Sequence, residues 1–203
     1  MERQIVDRLR DVYGKPGAEI TDPFEMILLE NVAYLVDDAK RRETFEKLRR
    51  EIGFDKLLTT PAEKIARVIE GGGMKPLMRA EKVVECARIF AEAGAPLDKK
   101  VLRRYPGVGE PLADKILLFN GKSRTLAPDS NALRVLLRLG FGTESKSYAA
   151  SYKSAVAAAG EMPNAMEAHI LLRRHGQEVC KRSAPRCELC PLRDLCAYYA
   201  RCS

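Results

Sequence analysis

The sequence has no tryptophan, and aromatic residues of all kinds make up only 6% of its 203 positions. It has no apolar run that approaches the roughly eighteen residues a membrane helix needs, and its charged start at Glu2 and Arg3 does not resemble a secretion signal. Segments in which apolar and polar residues alternate, as they do in strands, are missing as well. These absences weigh against secreted, membrane-spanning and sheet-rich proteins, and we expect a compact protein of the cytoplasm.

Positive charge is in moderate excess. Thirty-five lysines and arginines stand against 28 aspartates and glutamates, which gives a formal net charge of +7 at pH 7. A basic balance suits a polyanionic partner such as a nucleic acid, but it is also found in basic proteins that bind none. Charge therefore needs a motif beside it before it indicates a partner.

Almost every segment has the apolar periodicity of an α-helix, so we predict an all-helical chain. One helix is predicted from Thr60-Pro61-Ala62-Glu63, which has the form of a capping box with proline at the first helical position, as far as Ile69. The others are predicted at residues 2–13, 23–39, 77–93, 97–104, 110–119, 130–139, 146–159 and 163–175.

The few cysteines are concentrated near the end of the chain, in the stretch CKRSAPRCELCPLRDLC with the spacing C-x6-C-x2-C-x5-C. In a reducing compartment, clustered thiols are metal ligands more often than disulfides, and four thiolates serve either zinc or an iron–sulfur cluster. Cys202 offers an alternative ligand, whereas Cys86, inside an apolar helix, is expected to be a packed core thiol. The clustered ligands are Cys180, Cys187, Cys190 and Cys196.

The loop Pro-Gly-Val-Gly at residues 106–109 stands between two predicted helices. Gly107 and Gly109 let the chain turn with few steric limits and bring bare backbone N–H groups to the start of the next helix. Such a helix start suits an oxyanion, and a DNA phosphate is the obvious one for a basic protein. An ordinary turn between helices uses the same residues, so the loop alone does not decide.

Taken together, the loop and the cysteines resemble the endonuclease III superfamily of DNA base-excision glycosylases, which combines a helix-hairpin-helix (HhH-GPD) element with a [4Fe-4S] cluster. The resemblance continues through RAEKVVECARIF at residues 79–90, APDSNALRV at 127–135 and HGQEVC at 175–180. It implies a two-lobed, all-α fold. One lobe, at residues 22–131, contains the hairpin, and the other, at residues 1–21 and 132–203, carries the cluster.

The resemblance also implies a partner and a cofactor. The partner is double-stranded DNA with a lesion or a mismatch, bound by a monomer that contacts no membrane and, in a prokaryote, is associated with the nucleoid. The cofactor is a [4Fe-4S] cluster on the four clustered cysteines, in place of zinc. The residues expected to contact DNA are Gly107, Val108, Gly109, Lys181, Arg182 and Arg186.

Two carboxylates are candidates for catalysis. Asp129 falls on the invariant aspartate of the glycosylase motif, where a carboxylate stabilises the positive charge that develops on the sugar as the N-glycosidic bond breaks. It is also a good N-cap for the helix that follows. Glu30 coincides with the catalytic glutamate of adenine DNA glycosylase. Since it has apolar neighbours at i±3 and i±4, we expect it to be buried and protonated, ready to donate to the leaving base, although an incidental polar residue in the bundle is the alternative.

Superfamily members that also cut the DNA strand carry a hairpin lysine that forms a Schiff base with the sugar. The Pro-Gly-Val-Gly match puts Pro111 at that position, so we predict base hydrolysis without strand cleavage. The alternatives are a bifunctional lyase that uses Lys115, one helical turn further on, and a non-catalytic DNA-binding protein on the same scaffold. Tyr34 is a further active-site candidate, because with Leu35 it occupies the region that fills the gap left by the flipped nucleotide.

Overall fold

The computed structural model describes residues 1–17, 19–94, 97–162 and 164–202, and within these ranges the chain forms helices and no strand. The prediction of an all-helical fold is confirmed. None of the helices in the described part is long and apolar enough to cross a membrane.

The helices of the described residues are joined by short loops and by 3₁₀ turns at Phe54–Lys56, Glu70–Gly72, Cys187–Leu189 and Arg193–Leu195. The α-helices are α1 (Glu2–Tyr13), α2 (Pro23–Asn31), α3 (Asp38–Glu51), α4 (Ala62–Val68), α5 (Pro76–Ala93), α6 (Lys99–Leu102), α7 (Glu110–Phe119), α8 (Ser130–Leu139), α9 (Tyr148–Ala159), α10 (Ala165–Glu178) and α11 (Ala197–Cys202).

The chain divides into two compact units. One is continuous, Ile20–Ile116, and contains α2 to α6 with most of α7. The other joins Met1–Glu19 to Leu117–Ser203 and contains α1, the end of α7 and α8 to α11. The lobes predicted from the sequence, with boundaries at residues 22 and 131, stay a prediction.

The predicted helix at residues 23–39 is wrong beyond Asn31. Asp22 caps α2 by accepting from the backbone N–H of Glu25 at 2.8 Å, but after Asn31 the chain turns, and Leu35 adopts a positive φ of 58°. Asp37 then accepts from the backbone N–H of Lys40 at 2.8 Å and starts α3 as a separate helix. The apolar run through residue 36 is therefore not one continuous helix, and its last part lies in a turn in which Tyr34 and Leu35 are exposed.

The predicted capping box at residues 60–63 is also wrong. Pro61 is the N-cap of α4, with no side-chain hydrogen bond to the helix, and the Thr60 hydroxyl instead donates to the Lys56 carbonyl at 2.8 Å. Three predicted helices, at residues 2–13, 110–119 and 130–139, coincide with α1, α7 and α8. The start predicted at residue 163 lies outside the described residues.

The discontinuous unit has its core among α1, α8, α9 and α10. Ile5, Val6 and Leu9 of α1 pack in one apolar cluster with Leu136 of α8 and Leu172 of α10, all buried. Burial of this apolar surface provides the main favourable term that holds the four helices together.

Gly176 marks the closest approach of α8 and α10. A β-carbon placed there would lie 2.6 Å from the Asn131 carbonyl oxygen, in the first turn of α8. Since glycine inside a helix normally costs about 1 kcal/mol relative to alanine, Gly176 is explained by this contact and not by helix propensity. The contact sets the position of the α8 N-terminus relative to α10.

We predict that Gly176→Ala destabilises the protein by about 1–3 kcal/mol, although the same change in an exposed helix would stabilise it. The added methyl group forces the first turn of α8 away from α10. Urea unfolding followed by circular dichroism measures the change. Gly17→Ala is the matched control, because a β-carbon there meets nothing within 4 Å. An unchanged midpoint for Gly176→Ala would contradict this role.

Candidate active site

Asp129 is the N-cap of α8, as its sequence context indicates. Its Oδ1 accepts from the backbone N–H groups of Asn131 at 3.0 Å and Ala132 at 2.8 Å, while its Oδ2 accepts from Arg173 Nε at 2.7 Å. The carboxylate keeps 28% of its side-chain surface exposed. It is therefore held by a helix start and a guanidinium, yet can be reached from solvent.

His169 and Tyr148 lie in the surroundings of Asp129. His169, which is buried, donates from Nδ1 to the Ala127 carbonyl at 2.7 Å, because a carbonyl can only accept. The ring of His169 also meets Phe119 edge to face at 5.4 Å between centroids. On another side, burial and the charge of Asp129 raise the pKa of Tyr148. The segment that leads into α8 is thus anchored before Asp129 is reached.

Arg134 ties the start of α8 to the end of α10. It donates to the Asn131 side chain at 3.0 Å, to the Gly176 carbonyl at 2.6 Å and to the Cys180 carbonyl at 2.8 Å. One side chain therefore links the helix that Asp129 caps to the first clustered cysteine.

The four clustered cysteines line one small cavity, together with Val179, Pro185 and Tyr199. Burial raises the pKa of the Cys190 thiol to about 11, and the charges of the other three cysteines add to the rise. Four cysteine sulfurs that line one cavity form a soft, all-sulfur donor set, which fits an iron–sulfur cluster or zinc once the thiols lose their protons to the metal. Among the described residues, no His, Cys, Asp or Glu group is arranged to hold a metal ion. The Cys202 side chain lies outside the described part.

Two side chains contact the cysteine sulfurs directly. Arg138 donates to Cys180 Sγ at 3.3 Å and stacks on the Tyr198 ring at 4.7 Å. His175 Nε2 lies 3.4 Å from Cys190 Sγ, and its Nδ1 lies 3.0 Å from the Tyr13 hydroxyl. Burial lowers the pKa of His175 to about 4, so the ring is neutral at pH 7. If Cys190 binds a metal as a thiolate, which only accepts, Nε2 carries the proton and the Tyr13 hydroxyl donates to Nδ1.

The basic residues of the cysteine loop are accessible. Arg182 and Arg186 are exposed and Lys181 is half-buried, and none of them forms an ion pair with a carboxylate within the described residues. Arg182 also lines a cavity of about 540 Å³ that begins at Ser130, next to Asp129. The other basic residues of this cavity are Arg134, Arg138, Lys146 and Arg201.

The hairpin turn differs in detail from the sequence expectation. Gly107 has a positive φ of 78° and is exposed, but the N–H of Val108 is not bare, since it donates to the Tyr105 carbonyl at 3.1 Å. The Val108 side chain is buried. Within the described residues, the N–H groups of Gly107 and Gly109 donate no hydrogen bond, and they stay available to a ligand.

Asn31 anchors the turn from beneath. Its buried side-chain amide donates to the Ile27 carbonyl at 3.0 Å and to the Pro106 carbonyl at 2.8 Å. A β-carbon on Gly107 would lie 2.9 Å from Asn31 Oδ1, so glycine is required there by both conformation and space.

The start of α7 carries two residues that alter the hairpin chemically. Pro111 stands in the first turn of α7, where it removes one N–H donor. Glu110 adds a negative charge there, which Lys99 offsets through contacts to Glu110 at 3.4 Å and Asp114 at 2.6 Å. Lys115 is half-buried on α7.

The expected burial of Glu30 is wrong. Its side chain is 48% exposed and forms an ion pair with Arg41 Nη1 at 2.8 Å. The apolar neighbours of Glu30 face the core, while Glu30, near the end of the short helix α2, projects beside α3 towards solvent. Tyr34 and Leu35 are also exposed, in the turn after α2, where the Tyr34 N–H donates to the Gly72 carbonyl at 2.8 Å.

Three important residues escaped the sequence analysis. Arg173 pairs with Asp129 across 44 positions, and no local pattern signals such a contact. His175 belongs to the quoted HGQEVC stretch, but its position beside a cysteine depends on how the loop folds back. Asn31 offered the clearest signal, because a lone amide stands in a predicted apolar helix.

Several known proteins resemble this chain in sequence or in structure. The chain is 25% identical over 223 residues to endonuclease III of Rickettsia conorii, covering 98% of each chain. It is 28% identical over 214 residues to the thymine-DNA glycosylase of Aeropyrum pernix, covering 98% of this chain and 94% of the relative. A solved non-covalent endonuclease III–DNA complex matches with a TM-score of 0.81 and 21% identity, covering 99% and 97% of the two chains. No protein-family model matches.

We predict that Asn31→Ala destabilises the protein by about 1–3 kcal/mol, because two buried carbonyls lose their donor. Asn31→Asp is expected to cost at least as much, since an ionised carboxylate cannot donate to them. Thr59→Ala, which removes one exposed hydrogen bond to the Lys56 carbonyl, is the control and should change stability by less than about 0.5 kcal/mol. Equal urea midpoints for all three variants would contradict the anchoring role of Asn31.

Proposed function

We propose that the chain is a DNA glycosylase of the endonuclease III superfamily, and that it hydrolyses the N-glycosidic bond of a damaged or mispaired base in double-stranded DNA without cutting the strand. The observation that carries the proposal is Asp129, a carboxylate fixed at the start of α8 and open to solvent. As in the sequence expectation, we propose that it acts as a monomer in the cytoplasm, or at the nucleoid in a prokaryote.

Asp129 supplies the negative charge that the reaction needs. As the bond to the base breaks, the sugar gains oxocarbenium character, and a fixed carboxylate stabilises that charge without having to reorganise. The two cap hydrogen bonds orient Oδ1, so Oδ2, which accepts from Arg173 in the free protein, is the oxygen that we propose faces the sugar or an attacking water. The helix thus positions the carboxylate before the substrate arrives.

Pro111 supports hydrolysis over lyase chemistry. A Schiff base requires an amine at the sugar, and proline has no amine in its side chain. Lys115 is half-buried further along α7. We therefore propose that water, and not a protein amine, completes the reaction, and that the product is an abasic site in an intact strand.

The role proposed for Glu30 rests on the resemblance alone, since its side chain is exposed and forms an ion pair with Arg41 in the free protein. A carboxylate that is open in the free protein can still meet an extruded base, because catalytic contacts often form only in the complex. Tyr34 and Leu35 are proposed as the side chains that fill the vacated position in the base stack, since both are exposed and apolar in part.

The four clustered cysteines would hold a [4Fe-4S] cluster. When bound, the cluster ties the basic loop of residues 181–186 to the end of α10 and leaves the chemistry to the side chains. Cys180, Cys187, Cys190 and Cys196 supply the sulfurs, while Arg138 and His175 donate to two of them. Gly107, Gly109, Lys181, Arg182 and Arg186 are proposed to contact DNA. Val108 was expected to do so as well, but its side chain is buried and its N–H donates to the Tyr105 carbonyl in the free protein.

Base release is tested on labelled duplexes that carry uracil, thymine opposite guanine, adenine opposite 8-oxoguanine, oxidised pyrimidines or alkylated purines, each split and analysed with and without alkali. We expect strand breaks only after alkali, on at least one duplex. Asp129→Asn should lower the rate by about a hundredfold or more, since it removes the charge that faces the sugar. Breaks on no duplex, or full activity in Asp129→Asn, would overturn the mechanism.

Two further variants separate the alternatives in the same assay. Breaks without alkali that disappear in Lys115→Ala, together with covalent trapping by borohydride, would establish a bifunctional lyase. Glu30→Gln should slow base release by about a hundredfold if Glu30 protonates the base. Glu25→Gln, an ion-paired glutamate at the start of α2, is its control. Equal rates for Glu30→Gln and Glu25→Gln would remove Glu30 from the mechanism.

The cluster is tested by chemical analysis of the purified protein. We expect about four irons and four sulfides per chain and a brown colour. Cys187→Ser should lose most of the iron, whereas Cys86→Ala, at a buried thiol of the other unit, and Cys202→Ser should keep it. Stoichiometric zinc, or loss of iron from Cys202→Ser, would contradict this assignment.

A further inference from the structure

Arg173 occupies the carboxylate oxygen that the proposed reaction requires. Its Nε donates to Asp129 Oδ2 at 2.7 Å, while Oδ1 accepts the two backbone N–H groups of the α8 cap. Both oxygens of Asp129 are therefore engaged in the free protein, one by the helix and one by a guanidinium.

This arrangement works against the reaction. A developing sugar cation needs the field of an unopposed carboxylate, and a guanidinium on Oδ2 cancels much of that field. It would also stand close to a centre of like charge. Arg173 must therefore leave Oδ2, or have its own charge neutralised, before the bond to the base can break.

DNA carries the group that can draw Arg173 away. Each nucleotide brings a phosphate. Arginine can bind a phosphate through two parallel hydrogen bonds, just as it can bind a carboxylate. The Arg173 side chain is one third exposed, so a phosphate at the surface can reach it. Asp129 keeps both cap hydrogen bonds without it, so the carboxylate would stay in place.

The surface near Asp129 also carries an excess of positive charge. The cavity of about 540 Å³ is lined by Ser130, directly after Asp129, and its basic lining residues, which include Lys146, Arg182 and Arg201, outnumber its carboxylate, Glu144. Within the described residues, none of these three forms an ion pair with a carboxylate. A DNA strand that reaches Asp129 would therefore pass unpaired cations.

We propose that Arg173 exchanges Asp129 for a backbone phosphate next to the target nucleotide when DNA binds. The exchange uncovers Oδ2 for the sugar only when a strand is in place, and so links phosphate binding to activation of the carboxylate. This inference rests on the proposed function, which supplies the DNA. Arg173 would therefore bind a phosphate in the complex, whereas in the free protein it binds Asp129 Oδ2.

The exchange predicts an energetic coupling between Arg173 and one phosphate. The probe is a duplex with a single tetrahydrofuran abasic-site analogue, in which a neutral methylphosphonate replaces the linkage on the 5′ or the 3′ side. For the full-length, cluster-loaded protein, one of the two neutral linkages should weaken binding about tenfold. Arg173→Leu should bind the charged duplex about as weakly as the wild-type protein binds the neutral one. Its own affinity should then fall by less than about twofold when the same linkage is made neutral.

Two controls accompany this cycle. Arg174→Leu changes the adjacent arginine, which pairs with Glu178 and the Tyr13 carbonyl, and should keep the wild-type coupling. Arg173→Gln retains a hydrogen-bond donor towards Asp129 without the charge, and takes the place of Arg173→Leu in the cycle if that variant unfolds. The slope of log affinity against log salt concentration should decrease by the amount expected for about one lost phosphate contact in Arg173→Leu, and should not change in Arg174→Leu.

The outcomes separate this inference from the proposed function, because binding and base release are measured independently. The exchange is overturned if the neutral linkage weakens DNA binding by the same factor in wild type and in Arg173→Leu, even if the protein releases a base. Coupling without base release from any duplex supports the exchange and overturns the glycosylase proposal. A purely structural Arg173 would lower stability and activity together and leave the linkage effect unchanged.

Discussion

The contact between α8 and α10 at Gly176 is the constraint on which the rest of the site depends. Because residue 176 has no side chain, the first turn of α8 lies directly against α10. Arg173, one turn earlier on α10, then reaches Asp129, and Cys180 follows two residues after α10 ends. A single close packing of two helices thus places the carboxylate, its guanidinium partner and the first cluster cysteine beside one another.

In the discontinuous unit, the acidic group at Asp129 and the sulfurs of Cys180 and Cys190 each have a nearby hydrogen-bond partner. Asp129 is held by a helix start and Arg173, and Cys180 by contacts from Arg138. Neutral His175 contacts Cys190 without adding charge. By contrast, the cations that line the neighbouring cavity have no carboxylate partners in the described residues. The unit therefore compensates its own fixed charges and leaves positive charge over for a polyanion.

The sequence predicted those parts that depend on local chemistry. The bounds of α1, α7 and α8, the cap at Asp129 and the turn at Gly107 all follow from short patterns of apolar, capping and glycine residues. What it missed depends on contacts between distant segments. The exposure of Glu30 follows from where α2 ends, and the Arg173–Asp129 pair follows from the packing of α8 on α10, so neither is written in the neighbouring residues.

The central claim is that this chain removes a base and leaves the strand intact. The most direct test is mass spectrometry of a lesion-bearing DNA strand after incubation with the protein. We expect a full-length strand in which a hydroxyl group has replaced one base, and about a hundredfold less of this product, or none, with Asp129→Asn. Two shorter fragments, or an unchanged strand for every lesion in the panel, would contradict it.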